Sequence, residues 1–431
     1  GEVSGDTREA VVHIPIDSNE VVIANPFGGL IYIVVPDGAA EGMVTVRLHH
    51  AVRSPLYSTT NPLRSSVSAF FDDVNDGHVP WMDAESSKFM YTLPTAMIRT
   101  EHNPAEILDV WDEIMDALAI LGGRSTDRYR AEWVAPDRMV PFPGTAATAS
   151  YPMSPGMPAG PTFSDARNNT WWSPLRVLQT GEDAYYKTTP SSFIVLHEFG
   201  HLHNYPTLPG EIESNVNLPA VIAYQTVFDA SFDEAFKYSI DQRLTLDGAA
   251  LDWMVSPNFP SGEIGVDPDY GQERQYQSRG HAKWVEIAQL FSWESLGAIN
   301  GVYVQRGIDQ GRSYDYYITP DDMVTTASTV LGVNVAPLFE FWGITLSASV
   351  RTELMNLPAS NLIRQRLEHY RDLVPNNNSA FRDLYDAELA DNFDDPNDHH
   401  HQRYQEVLQS YNRSQAEAIR DRIDTILEDH F

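Results

Sequence analysis

The chain has 431 residues, 42% hydrophobic and 11% aromatic, which excludes a disordered composition and gives room for two or three cores. Sixty acidic against 29 basic residues leave a formal charge of −31, which argues against nucleic acid or an anionic membrane surface as a partner. Cysteine is absent, so disulfides and all thiolate chemistry are excluded.

Lysine occurs only at Lys88, Lys187, Lys237 and Lys283, an acid-rich balance that serves solubility, adaptation to salt or bound cations. No run is long and apolar enough to span a bilayer, so no membrane insertion is expected. The sequence starts at Gly1 without a signal-like apolar stretch, which reads as a mature, exported product.

The first hundred residues read as strands and turns. GGLIYIVVPDG (28–38) is an apolar, β-branched run closed by turn residues. MVTVRLHHAV (43–52) alternates, with Val44, Val46 and Leu48 on one face. His49 and His50 are neighbours there, and neighbours on a strand point to opposite faces, so they cannot share a metal. A helix follows, with Asn103 as its cap and Pro104 in its first turn. Ile107, Trp111, Ile114, Leu118 and Leu121 keep helical spacing, and Gly122-Gly123 ends it.

Residues 135–182 are loop-rich, and so long an irregular stretch is often functional, above all the Pro/Gly-rich 141–161. The stretch from about 190 to 300 reads as mostly helical. After about 365 the chain turns acidic: NFDDPNDHHHQ (392–402) reads as a solvated loop, and a closing helix carries Ile419, Ile423 and Ile426 at core spacing.

Chemistry concentrates in HEFGHLHNYPTLPGEIESNVN (197–217). His197 and His201 are four apart on a helix that SSFIVL (191–196) introduces, so both rings leave one face and suit one Zn²⁺. Glu198 lies about 100° further round the axis, where it can reach a metal-bound water as general base. A catalytic zinc needs a third protein ligand and an open position. Pro206, Pro209 and Gly210 end the helix, and Glu211 and Glu213 are the carboxylates in reach of the turn. His203 leaves the ligand face, and Asn204 and Thr207 stand where a distal histidine would be. Gly200 costs about 1 kcal/mol in mid-helix relative to alanine, which implies that something passes close by.

HEFGHLHN followed by ESNVNL (213–218) resembles the enhancin-like, mucin-degrading zinc peptidases, family M-60, whose signature is HExGHxH(N/Q), a gap, then Glu-x-x-x-Asn-Leu. GGLIYIVVP, HVPWMDAESSKFMYTLPT (78–95), ATASYPMSP (147–155), AQLFSWESL (288–296) and NVAPLFEFWGITLS (334–347) resemble family segments in the family's order, over roughly residues 20 to 360. The chain departs from the pattern in a short gap before the glutamate and in Pro219 within the next helix.

The resemblance implies an α+β fold. A β-rich part (1–105) precedes a mainly helical, zincin-like catalytic part (106–365), and an acidic helical segment (366–431) closes the chain. It selects Glu213 over Glu211 as third ligand beside His197 and His201, with zinc as cofactor and Glu198 as base. It implies a secreted endopeptidase acting on mucin-like, O-glycosylated protein. Tyr151, Tyr224 and His281 are candidates for substrate or oxyanion contact, with packing as the alternative for each; Trp171-Trp172 would suit sugar. A rival reading is a catalytically silent glycan- or protein-binding module of the same fold.

Overall fold

The computed structural model describes residues 14–24, 29–35, 38–40, 42–76, 79–98, 103–135, 147–148, 151–155, 193–203, 207–208, 210–239, 244–256, 258–261, 279–311, 318–388, 407 and 409–431. Most of the 141–161 loop, Trp171-Trp172 and the 392–402 stretch lie outside the described residues. The architecture is α+β, a four-stranded sheet near the N-terminus and a mostly helical remainder. Two compact units divide it: Gly1–Asp112 with Arg128–Leu178, and Glu113–Asp127 with Gln179–Phe431.

The first unit is built on β1 (Leu56–Ser58), β2 (Trp81–Glu85), β3 (Phe89–Pro94) and β4 (Glu132–Val134), in that spatial order. β2 and β3 are antiparallel; the outer pairs are parallel, with α1 (Val67–Asp76) crossing between β1 and β2. The β2–β3 turn is closed by Ser86, whose Oγ accepts from Lys88 N at 3.1 Å and Phe89 N at 2.9 Å. Met82, Ala84, Phe89, Tyr91 and Leu93 are buried, and Phe89 stacks on Trp111 with centroids 4.3 Å apart.

The two strands expected at 28–38 and 43–52 do not form: the described residues 29–35 and 42–52 carry no strand. Their side chains face solvent, Val34 at 75% and Met43 at 101% exposure. A β-branched, alternating run becomes a strand only when a neighbour completes its ladder, and the sheet here is assembled from residues further along. Tyr32 is the anchor of this stretch, edge-on to Trp133 at 5.1 Å with its hydroxyl 3.0 Å from Asp83 Oδ1. Among the described residues, the N-terminal part therefore carries fewer strands than the sequence pattern suggests.

The helix expected after Asn103 is α2 (Pro104–Leu121), with Asn103 Oδ1 accepting from Ala105 N at 3.1 Å. The second unit takes its C-terminal half. There α2 meets α10 (Trp293–Asp309), after α3 (Phe193–His203), α4 (Ile212–Asn215), α5 (Leu218–Thr226), α6 (Phe232–Tyr238), α7 (Leu246–Met254), α8 (Asn258–Ser261) and α9 (Ala282–Phe291). A Cβ on Gly297 would lie 2.0 Å from the Ile120 carbonyl oxygen, so the two backbones meet only because that side chain is absent. Asn300 Nδ2 reinforces the contact, donating to Leu121 O at 2.7 Å. The chain ends in a helix (Arg413–His430) that Asn412 caps and that buries Ile419, Ile423 and Ile426. Among the described residues, no helix is long and apolar enough to cross a membrane.

Gly297→Ala separates packing from helix propensity. Propensity alone favours alanine by about 1 kcal/mol; overpacking against backbone costs about 1–3 kcal/mol. The expected outcome is a lower thermal midpoint by calorimetry, and an unchanged or raised midpoint would contradict the close approach.

Candidate metal centre

Helix α3 has two faces. Val195, Leu196, Phe199, Gly200 and His203 are buried, whereas His197, Glu198 and His201 are only partly covered. The buried set follows i, i+4 spacing, so core packing fixes the helix rotation and aims the partly covered set outward. The rings of His197 and His201 stand 5.0 Å apart at 78°. Arg124 closes the helix end, donating to His203 O at 3.2 Å. His203 itself turns into the core, in keeping with its expected departure from the ligand face.

The third group comes from the turn after α3. A Cβ on Gly200 would lie 2.3 Å from Val216 O and 2.6 Å from Val216 Cα. The segment joining α4 to α5 thus rests directly on the backbone of α3, as the mid-helix glycine implies. At that distance Glu213 Oε2 lies 3.5 Å from His197 Nε2 and 3.7 Å from His201 Nε2. One ligand atom from each of these three residues falls within 4.8 Å of the others, the single such group of three or more His, Asp or Glu among the described residues. Ligands about 2.0–2.1 Å from a tetrahedral zinc are roughly 3.3–3.4 Å apart, so the spacing and the N, N, O donor set fit such an ion. Three protein donors leave a fourth position open.

Asn217 organises this group. Its Oδ1 lies 2.7 Å from His197 Nδ1, and its Nδ2 donates to Glu213 O at 3.2 Å. With Nδ2 committed to a carbonyl, Oδ1 accepts from His197 Nδ1–H; the neutral ring then has its lone pair on Nε2, on the Glu213 side, and the charged ring can donate Nε2–H to Glu213. Pro219 sits in the first turn of α5, where proline is tolerated, so it does not distort the helix.

Glu211 has a different place. It is fully buried; its Oε2 accepts from Leu208 N at 2.9 Å and Oε1 lies 2.7 Å from Lys283 Nζ. It is a bridge within the interior, and Glu213 is the carboxylate that meets the histidines.

The local electrostatics raise the Glu198 carboxyl, keep His201 neutral and, with no metal bound, favour a proton on His197. Burial lifts the Glu198 carboxyl above its ordinary range; His197 opposes this and Glu213 adds to it. A base shifted toward neutrality is better matched to proton transfer. Burial and the neighbouring His197 lower His201, which favours the neutral ring, the form able to ligate a metal. The hydrogen bond with His197 holds Glu213 low, although burial works against it. Burial opposes protonation of His197 too, but Glu213, Asn217 and Glu198 together carry it above its usual value.

Two of the other candidates lie in the interior. Tyr224 is fully buried in α5 with its ring 6.3 Å from that of Phe228, and His281 is fully buried 4.7 Å from the Phe236 ring. Neither exposes surface in this structure, and His281, at the N-cap of α9, has Ser239 Oγ 3.3 Å from its Nε2. Tyr151 belongs to the first unit, where its hydroxyl donates to Ala131 O at 3.0 Å and its ring lies 3.7 Å from the Arg130 guanidinium. The sequence marked Asn217 as part of a motif but gave it no role. Its i+4 spacing from Glu213 placed it near that residue's carbonyl; nothing local pointed to His197.

No family model matches the chain. By sequence it is similar to TRPM8 channel-associated factor 2 of Bos taurus, 22% identical over 360 residues, covering 80% of this chain and 34% of the relative. The TRPM8 channel-associated factor homolog of Xenopus laevis is 25% identical over 347 residues, with 80% and 34% covered. The chain spans about a third of the length of these relatives. Among solved structures, it is similar to a metallopeptidase from Bacteroides thetaiotaomicron, with 12% identity, 71% of this chain and 51% of that chain covered, and a TM-score of 0.49. The M60 catalytic domain from Clostridium perfringens ZmpC, in complex with the sialyl T antigen, gives 12% identity, 72% and 57% coverage, and a TM-score of 0.47.

Removing the carboxamide tests the site geometry. Asn217→Ala is expected to weaken zinc binding about 10- to 100-fold in competition with a chromogenic chelator, the usual cost of losing a group that orients a ligand. Gly200→Ala is expected to weaken zinc at least as much and to lower the melting temperature, since Val216 must move. Unchanged affinity in both would contradict this arrangement.

Proposed function

We propose that this chain is a zinc-dependent endopeptidase acting on mucin-like, O-glycosylated proteins outside the cell. The observation that carries the reading is the convergence of His197, His201 and Glu213 with Glu198 beside them on α3. A binding module has no need of a half-buried carboxylate with a raised pKa next to a metal centre. Zinc, when bound, supplies the Lewis acid that activates water and polarises the scissile carbonyl. Glu198 takes the proton of the attacking water and passes it to the amine as the peptide C–N bond breaks. Asn217 holds the His197 ring in the ligating tautomer throughout. The substrate class rests on the resemblance of HEFGHLHN and ESNVNL to the mucin-degrading peptidases.

The curated relatives favour a second reading, a catalytically silent binding module, because their names describe association with a channel. Hydrolysis of a glycosylated mucin by wild type and Glu198→Ala, with zinc content measured on both, separates the two. The proposal expects zinc in both proteins and a loss of roughly 100- to 10,000-fold in rate for the variant, the usual worth of a general base. Zinc in both with no cleavage of glycosylated or deglycosylated protein would leave the binding module.

A further inference from the structure

Glu211 and Glu213 sit two residues apart, yet only Glu213 meets the histidines. We propose that Glu211 and Lys283 form a buried clamp that sets the position of Glu213, making both positioning residues of the metal centre. This rests on the metal reading above.

Glu213 lies on α4, a helix of four residues. One turn of helix does not hold itself, because nucleation fixes several dihedrals for a single hydrogen bond. Glu211 supplies what the turn lacks. Its carbonyl accepts from Ser214 N at 3.1 Å, Asn215 N at 2.9 Å and Ser214 Oγ at 2.9 Å. Its carboxylate accepts from Leu208 N at 2.9 Å and from Asn215 Nδ2 at 3.4 Å. One residue therefore ties the chain before α4 to its last residue.

The other carboxylate oxygen fastens this turn to a separate element. Lys283, in the first turn of α9, brings Nζ to 2.7 Å from Glu211 Oε1 and donates to Gly280 O at 2.6 Å. Both side chains are almost completely excluded from solvent, at 4% and 0% exposure. A buried ion pair is a poor source of net stability, since apolar residues of the same volume do as well or better. Its geometry is its distinctive property: removing either partner leaves an uncompensated interior charge, so the turn has one place to sit. Glu213 then reaches the histidines from a turn held on two sides, by Val216 against Gly200 and by Glu211 against Lys283.

The test compares zinc affinity, by chelator competition, with the melting temperature of the metal-free protein. The variants are Lys283→Met and the double variant Glu211→Gln/Lys283→Met, which carries no unpaired charge. Lys283→Met is expected to weaken zinc about tenfold or more and to lower the melting temperature. The double variant is expected to regain most of the melting temperature while its zinc affinity stays at least about tenfold weak. Where Lys283→Met alone does not fold, the double variant carries the comparison.

Affinity that recovers together with the melting temperature, or that never changes, would overturn the clamp and leave a merely structural pair. A wild-type protein that takes up no zinc would overturn the metal reading and the clamp together.

Discussion

The close approach at Gly200 is the constraint on which the site depends. Helix α3 and the turn that follows touch backbone to backbone, with space for no side chain between them. The separation of Glu213 from the two histidines is set there, by packing of main chain that cannot rearrange as a side chain can. Glycine in mid-helix lowers helix stability by about 1 kcal/mol relative to alanine, a cost offset by the buried apolar face of α3. The two faces of that helix divide the work. Val195, Leu196 and Phe199 fix its rotation, and the rotation aims His197, Glu198 and His201.

Around this contact the polar groups form a shell with few degrees of freedom. Asn217 spends both ends of its carboxamide, one on the His197 ring and one on the Glu213 backbone. Glu211 is committed to Leu208, Asn215 and Lys283. Buried polar groups with full partners hold one geometry, because any other arrangement leaves a donor or acceptor unpaired in a low-dielectric interior. The three metal-binding candidates lie nearer the surface, with side-chain exposures of 16%, 23% and 50%. A rigid interior thus presents an accessible cluster, the arrangement a site of metal-assisted hydrolysis needs.

Local signals in the sequence carried much of this and failed in a consistent way. The i, i+4 histidines, the adjacent glutamate, the mid-helix glycine and the cap at Asn103 each depend on spacing within one element, and each lies where its spacing puts it. The strands at 28–38 and 43–52 failed because alternation describes a chain ready to pair and says nothing about a partner. The burial of Tyr224 and His281 was not legible, because burial depends on every neighbouring helix, whereas polarity is read from one residue. The choice between Glu211 and Glu213 was not legible in the residues alone. In the fold Glu211 is paired with Lys283, 72 positions beyond it, while Glu213 stands beside the histidines.

The proposed chemistry requires that His197, His201 and Glu213 hold a single metal ion between them. Anomalous diffraction from crystals of zinc-loaded protein, recorded on both sides of the zinc absorption edge, tests it most directly. The expected result is one strong peak about 2.0–2.2 Å from Nε2 of His197, Nε2 of His201 and a carboxylate oxygen of Glu213. A peak held by any other carboxylate or histidine, or no peak at these residues in zinc-loaded crystals, would contradict it.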